Sequence, residues 1–487
     1  MSTHLEVRPG AYHDSVSLMQ VSRAAQEVDG VEAALVAMAT ELNREFLGPM
    51  GFDVDVEAGP NDLLVAVRAR DDDAVQAALQ AVEAALAASS RGESGGFGEG
   101  IAPRTTASAL RREDAPLVLV STPGDNAFVE AVDALRGGAN VMLFSDNVPV
   151  AQEVALKHLA GELGLLVMGP DCGTAMVSGL GLGFANAVRP GPVGVVAASG
   201  TGAQHLTSLL DDAGIGTSHV LGVGGRDLKA DVGGLSTLQA LQALDADPST
   251  ELVVVLSKPP APEVAERVRA AAAELDTPVV LGLLGPGQPD MTELARDVAG
   301  RLDTELVPRT WDGPADRAPR DGRLVGLFSG GTLATEAMVV ASQALGAIRS
   351  NVPLEPGLEL DGGADTPHEV LDLGEDEFTR GRPHPMIDPS VRRERIDALG
   401  DDVAVLLVDV VLGHGAADDP AGDLAAQLQA FRERTGGHVV ASLCGVDGDP
   451  QGRDAQAEKL LAAGASVHAS NAVAARTAAD LVTRSNR

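Results

Sequence analysis

Two stretches decide how this chain is read: Pro192-Val-Gly-Val-Val-Ala-Ala-Ser-Gly-Thr-Gly-Ala-Gln-His-Leu206 and Leu324-Val-Gly-Leu-Phe-Ser-Gly-Gly-Thr-Leu-Ala-Thr-Glu-Ala-Met338. In each, an apolar run of strand character meets a Ser-Gly turn and continues into helix-forming residues. A buried strand that feeds a glycine-rich turn and then a helix is the βα unit of a parallel sheet. Glycine lets the backbone approach a ligand closely, and the free N–H groups at a helix start favour an anion. Gly200, Gly330 and Gly331 would give that approach. The hydroxyls of Ser199, Thr201, Ser329 and Thr332 would donate to phosphate or carboxylate oxygens. The same turns also serve as plain connections capped by Ser or Thr. Neither is a nucleotide P-loop, since no Gly-Lys-Ser/Thr follows.

Working outward, both stretches head a diverged internal repeat. Strands are expected at Leu252–Leu256 and Val279–Leu283 in the first copy, and at Val403–Val408 and Val439–Leu443 in the second. Each copy, 191–310 and 320–487, predicts a flavodoxin-like sheet. The second carries an insertion over 351–390, rich in Asp, His, Arg and Pro. Upstream, Leu117–Val120, Val141–Phe144 and Leu165–Met168 alternate with helices over Asn126–Arg136 and Val150–Leu163, which predicts a Rossmann-like unit over 104–190. Residues 1–88 read as a small ferredoxin-like or ACT-like unit, with strands at His4–Val7, Val31–Met38 and Leu63–Arg68. The Gly/Ser stretch 89–103 reads as a flexible linker. The fold class is therefore α/β throughout.

Composition fits that reading. The chain has 487 residues, 45% hydrophobic but only 2% aromatic, so its core is built from Ala, Val, Leu and Ile. Such strands suit parallel sheets buried on both faces. The net charge of −34 disfavours nucleic acid as a partner. Two cysteines, Cys172 and Cys444, form neither a disulfide framework nor a zinc spacing. No metal site is expected. The start lacks a basic-then-apolar signal and no apolar run reaches bilayer length, so a cytoplasmic protein is expected, without a membrane partner.

Further candidate residues sit at strand ends. Arg226, in Gly222-Val-Gly-Gly-Arg-Asp-Leu228, suits a carboxylate or phosphate, or is a local ion pair. Lys258 follows a strand of the first repeat, in a chain with four lysines. His414, in Asp409-Val-Val-Leu-Gly-His-Gly415, holds the matching place in the second repeat, as a general base, phosphate ligand or nucleophile, or as a solvated loop residue. Arg380, Arg382 and His384, in the insertion, would close over an anion or form a solvated charged loop. Cys172, in Met168-Gly-Pro-Asp-Cys-Gly-Thr174, reads as structural rather than catalytic.

Together these motifs resemble the α subunit of succinyl-CoA synthetase, and more closely the FdrA family of that superfamily. The FdrA-like pattern is carried by Val7-Arg-Pro-Gly-Ala-Tyr-His-Asp-Ser-Val16, Leu18-Met-Gln-Val-Ser22, Gly59-Pro-Asn-Asp62, Ser257-Lys-Pro-Pro-Ala-Pro262, Gly381-Arg-Pro-His-Pro-Met-Ile-Asp388 and Val410-Val-Leu-Gly-His-Gly415. The resemblance implies a CoA-binding-type Rossmann domain followed by two succinyl-CoA-synthetase-type domains. It implies acyl-phosphate or carbamoyl-phosphate chemistry, as in an oxamate carbamoyltransferase assembly of purine and allantoin catabolism, with phosphate or carbamoyl phosphate as ligand. An acyl-CoA synthetase that needs an ATP-grasp partner, and a non-catalytic scaffold that binds an effector, are the other readings. Partners implied are a small carboxylate or phosphate substrate and other subunits of a hetero-oligomer, or a second copy in a homodimer.

The pattern also departs from the synthetase. The stretch before Pro116 has no glycine-rich turn after a strand, so CoA is expected to bind weakly or not at all. Residues 281–300 contain no histidine where the synthetase has its phosphohistidine segment, and Gly-His-Gly around His414 is a partial match in the other repeat. The synthetase glutamate that follows Ser-Gly-Thr is matched by His205 in the first repeat and by Glu336 in the second. The resemblance therefore gives His414 and Glu336 the catalytic roles, with Glu336 orienting the imidazole.

Overall fold

The computed structural model describes residues 1–11, 13, 15–40, 43–44, 46–48, 50–52, 58–91, 103–311, 313, 318–379 and 382–483. The expected linker lies largely outside these residues, as does Arg380.

The N-terminal unit is a three-stranded antiparallel sheet of β1 (Ser2–Arg8), β2 (Val31–Met38) and β3 (Leu63–Ala69), with β3 in the centre. Alternation along β3 makes two cores. Leu63, Val65 and Val67 face helices α1 (Ser15–Gln26) and α2 (Asp72–Arg91), while Leu64 and Ala66 meet Leu47 and Phe52 on the other side. A parallel three-stranded sheet follows: β4 (Leu117–Val120), β5 (Asn140–Leu143) and β6 (Val167–Met168), with α3 (Gly124–Arg136) and α4 (Val150–Leu163) as crossovers. Gly164, at φ +67°, ends α4 in the left-handed conformation that glycine adopts without strain.

The two repeats build the large sheets. In the first, β9 (Pro190–Ala197), β10 (Thr217–Gly222), β11 (Leu252–Ser257) and β12 (Val279–Leu283) lie in the order β12-β11-β9-β10, all parallel. An antiparallel hairpin, β7 (Thr174–Val177) and β8 (Leu180–Gly183), extends this sheet beyond β10. Helices α5 (Gly200–Asp212), α6 (Leu235–Asp245), α7 (Pro262–Ala273) and α8 (Met291–Arg301) connect the strands and close the unit.

In the second repeat, β14 (Arg323–Phe328), β16 (Glu369–Asp372), β17 (Val403–Val411), β18 (His438–Cys444) and β19 (Ala465–His468) are parallel, in the order β19-β18-β17-β14-β16. The short strands β13 (Thr310–Trp311) and β15 (Arg349–Ser350) form the two edges. Its helices are α9 (Gly331–Leu345), α10 (Ser390–Asp397), α11 (Gly422–Thr435), α12 (Arg453–Ala462) and α13 (Asn471–Asp480). Counted from their own first strands, the repeats run 2-1-3-4 and 2-1-3-4-5, the flavodoxin-like order expected.

Two findings differ from the sequence expectation. Part of the 351–390 insertion is integral to the sheet: Val370 and Leu371 are buried, and β16 pairs with β14 over four residues. The two repeats also share one apolar core, to which Leu206, Leu209 and Val298 contribute from the first and Leu333, Ala337 and Ala475 from the second. Among the described residues, no helix is long and apolar enough to cross a membrane.

Candidate functional site

In a 2-1-3-4 sheet the crevice lies at the carboxyl ends of the strands flanking the first, where the connections diverge. Both repeats put their Ser-Gly turn there, and the shared core brings the two turns face to face. Ser199 Oγ lies 2.5 Å from Thr332 Oγ1. The approach requires glycine: a Cβ on Gly330 would come within 2.8 Å of Thr201 Oγ1, and one on Gly202 within 2.5 Å of Ser199 Oγ. The heads of α5 and α9 therefore meet, each with the partial positive charge of a helix N-terminus. Ser199, Gly200, Thr201 and Gly331 are half-buried, open enough to meet a ligand.

The two heads are capped differently. Ser199 caps its own helix, accepting from Gly202 N at 3.0 Å. Gly330 has no side chain to do so, and a carboxylate from β17 takes the place. Asp409 accepts from Ser329 N at 2.8 Å, from Gly330 N at 2.9 Å and from Ser329 Oγ at 3.0 Å. Arg392 of α10 donates to the main-chain oxygen of Asp409 and, at 3.2 Å, to its Oδ1. Burial raises the Asp409 pKa, and the Arg392 guanidinium opposes that.

Lys258 reaches across from the first repeat. Its Nζ would lie 2.9 Å from a Cβ on Gly331, and Asp372 at the end of β16 closes on the same glycine. Burial pushes the Asp372 carboxyl up to about 7, against the pull of the Lys258 ammonium. His384 stands next to this group. Its Nε2 would lie 2.7 Å from a Cβ on Gly374, and Gly374 N donates to Asp372 Oδ1 at 3.0 Å. The His384 ring packs half-buried against Phe184, centroids 5.9 Å apart, and desolvation pulls its pKa down to about 4, so it is neutral. Because its Nδ1 accepts from Met386 N at 3.2 Å, the proton sits on Nε2.

Deeper between the repeats, His205 on α5 and Glu336 on α9 hold matching places. Glu336 accepts from Met291 N at 2.6 Å and from Asn471 Nδ2 at 2.8 Å, the first residues of α8 and α13. His205 Nε2 accepts from Asn471 N at 3.3 Å. Burial pushes Glu336 up to about 7 and His205 down to about 4.

Three family models match the chain: an AllF heavy metal-associated domain over residues 1–102, a CoA binding domain over 188–281 and a CoA-ligase over 327–481. The chain is 37% identical over 495 aligned residues to the uncharacterized protein YahF of Escherichia coli, covering 95% of each chain. It belongs to the FdrA-like family. This FdrA-like chain is also 28% identical over 154 residues to the mitochondrial ADP-forming succinate–CoA ligase subunit α-2 of Trichomonas vaginalis, covering 31% of this chain and 48% of that one. It is 32% identical over 149 residues to the malate–CoA ligase subunit α of Methylorubrum extorquens, 29% of this chain and 48% of that one. It thus spans about half the length of the ligase subunits it matches. The first model's name implies a heavy metal, and the residues present do not fit one. Segment 1–102 has no cysteine to supply the soft thiolate such ions prefer. Among the described residues no group of three His, Cys, Asp or Glu converges.

Other residues singled out in the FdrA-like sequence lie apart from the paired turns. Arg226 is tied to Glu153 at 2.9 Å and to Val148 O at 2.8 Å, and belongs to a structural cluster. At its centre Lys157, fully buried, donates to Glu153 (2.8 Å), Asp227 (2.7 Å) and Val223 O (3.0 Å). Arg382, half-exposed, lies 3.5 Å from Glu394. His414 is exposed, and its backbone forms a bridge with Ala185. Glu336 faces Met291 and Asn471, so the expected pair of Glu336 with His414 is not formed: the shared core turns α9 inward, while His414 lies exposed beyond the buried end of β17. Cys172 is buried, its thiol pushed up to about 12, chiefly by desolvation. Sequence reasoning missed Arg392 and Asn471. Their local signals are those of ordinary helix residues, and only the tertiary packing gives their side chains partners.

Proposed function

We propose that this chain is the CoA-ligase-type component of an acyl-CoA synthetase, holding the phosphate of an acyl phosphate at the paired heads of α5 and α9. The observation that carries the reading is the meeting of the two Ser-Gly turns, with Ser199 Oγ 2.5 Å from Thr332 Oγ1. The CoA-binding and CoA-ligase matches, which contain these turns, support it. The stretch before Pro116 lacks a CoA turn, but the CoA-binding match begins at 188. CoA is therefore the expected acceptor, in place of carbamoyl chemistry.

In this reading the amides of Gly200, Thr201 and Gly331 and the hydroxyls of Ser199 and Thr332 face phosphate oxygens, and Lys258 adds a positive charge. Donors fixed in advance stabilise the charge that develops on the tetrahedral transition state as a thiolate displaces phosphate. Asp372, near Lys258, supplies a carboxyl that can exchange a proton near neutral pH. No ATP-grasp domain is legible in the sequence. The relatives named as ligases are subunits, so a second, nucleotide-using chain is part of the proposal.

The test is calorimetric titration of the full chain with inorganic phosphate, CoA and carbamoyl phosphate, repeated with Ser199→Ala/Thr332→Val. The wild type should bind phosphate and CoA, and the variant should lose phosphate affinity by about tenfold or more. Binding of carbamoyl phosphate without CoA would return the carbamoyltransferase reading. Phosphate binding equal in both proteins would move the anion site elsewhere.

A further inference from the structure

The N-terminal unit reaches the second repeat through Arg23, in the last turn of α1. Its guanidinium spans two units: Nε donates to Glu27, just past the end of its own helix, at 2.9 Å, Nη1 to Ile387 O at 2.6 Å and Nη2 to Asp423 Oδ2 at 3.0 Å. Arg23 is only about one-fifth exposed, and so is Asp423, so this is not a solvated surface pair.

Ile387 belongs to the turn that launches α10. The next residue, Asp388, accepts from Ser390 N at 2.9 Å and from Ser390 Oγ at 3.1 Å, fixing the start of that helix. One turn on, Arg392 grips Asp409 and donates to Pro385 O at 3.4 Å. Asp409 in turn holds the amides of Ser329 and Gly330, at the head of α9. A small cavity lined by Ser329, Met386, Arg392 and Asp423 lies along this line, so the segment is not close-packed on every side. Hydrogen bonds at both ends, joined by the main chain between Pro385 and Arg392, thus connect the N-terminal unit to one of the two turns that meet at the candidate anion site.

We infer that Arg23 is a positioning residue: through Ile387 and Arg392 the N-terminal unit sets Asp409, and with it the amides at the head of α9. The N-terminal unit is then a regulator of the site. A ligand that moves α1 relative to the second repeat changes anion affinity without touching the anion. The effect on binding rests on the anion-site reading above. The effect on the Ser329 and Gly330 amides does not.

Two variants of the full chain test this. Arg23→Met keeps the side-chain stem and removes the donors. Asp423→Asn loosens the same contact from the other side, in case the first variant folds poorly. Arg70→Met, on the same unit but paired with Asp29 and Asp71, is the control. Hydrogen exchange at Ser329 and Gly330 should speed up in Arg23→Met and Asp423→Asn and stay unchanged in Arg70→Met. Inorganic phosphate should bind the first two variants about 2- to 30-fold more weakly, the span of couplings carried through such networks. Faster exchange confined to the N-terminal unit, with Ser329 and Gly330 protected as in the wild type, would overturn the inference and leave Arg23 a simple tether. Faster exchange at Ser329 and Gly330 in a chain whose wild type binds no phosphate would keep the relay and sink the anion site.

Discussion

His205 and Glu336 hold matching positions on two facing helices and are joined through Asn471, whose main-chain N–H donates to the imidazole and whose side-chain amide donates to the carboxylate. The internal repeat is thus visible in its core as well as in its turns. The two copies have diverged to complementary chemistry: an imidazole that accepts on one side, a carboxylate that accepts on the other. With Nε2 accepting, the His205 proton belongs on Nδ1, and that atom has no hydrogen-bond partner among the described residues.

Glu336 should make stability pH-dependent. Its folded pKa, pushed up to about 7 by burial, lies above the ordinary 4.5. The fold then binds more protons than the unfolded chain between those values. This contribution is fully present below the unfolded pKa and is lost as pH rises through the folded one. Glu336→Gln removes the titration. Urea unfolding between about pH 5 and pH 8 should show the variant gaining on the wild type, by up to roughly 3 kcal/mol at the upper end. A difference independent of pH would mean that the two N–H donors keep Glu336 ionised throughout.

Lys157 is expected to be the most costly lysine to lose. It is fully buried between Glu153 and Asp227 and closes the contact of α4 with the Gly222–Leu228 turn. Lys157→Met leaves Glu153 with the Arg226 guanidinium alone and takes from the buried Asp227 its ammonium partner. Removing one partner of a buried ion cluster costs about 3–5 kcal/mol. Chemical denaturation should show a loss of that size, whereas Lys229→Met, at an exposed site, should change little.

Cys172 should be inert. Its thiol is buried, pushed up to about 12, and contacts Thr174 O. Cys444 is likewise buried, with its pKa raised. The native chain should give no rapid thiol titre with an aromatic disulfide reagent near neutral pH, and two thiols after unfolding. A fast-reacting Cys172 would reopen a catalytic role for it.

Much of the fold was legible because its strands are short apolar runs with punctuation at both ends. Val31–Met38, Leu117–Val120, Val150–Leu163 and Val279–Leu283 lie where periodicity and glycine stops put them. The elements that escaped lack such signals. Glu369–Asp372 is a strand with only two apolar residues, buried by pairing with β14. The hairpin Thr174–Gly183 gains its place from β10, far along the chain. At the site, the Ser-Gly turns could be read because glycine and hydroxyl residues at a strand end have few other uses. Which groups would meet them could not. His414 drew attention as a histidine between glycines, and those glycines do take positive φ, 112° at Gly413 and 82° at Gly415. They curl the backbone onto Ala185. His384 was expected on a closing flap, but a ring with Phe184 beside it and proline on both sides of it in sequence packs inward.

The unequal capping of the two helix heads also bears on stoichiometry. A duplicated half-site would ordinarily be counted twice. Here Asp409 saturates Ser329 and Gly330 from within, while Ser199 leaves Gly200 and Thr201 to whatever enters. A titration of the whole chain should therefore saturate at one anion per molecule. The second repeat contributes the Gly331 amide and the Thr332 hydroxyl to a single receptor, much as a mould needs two halves to hold one casting.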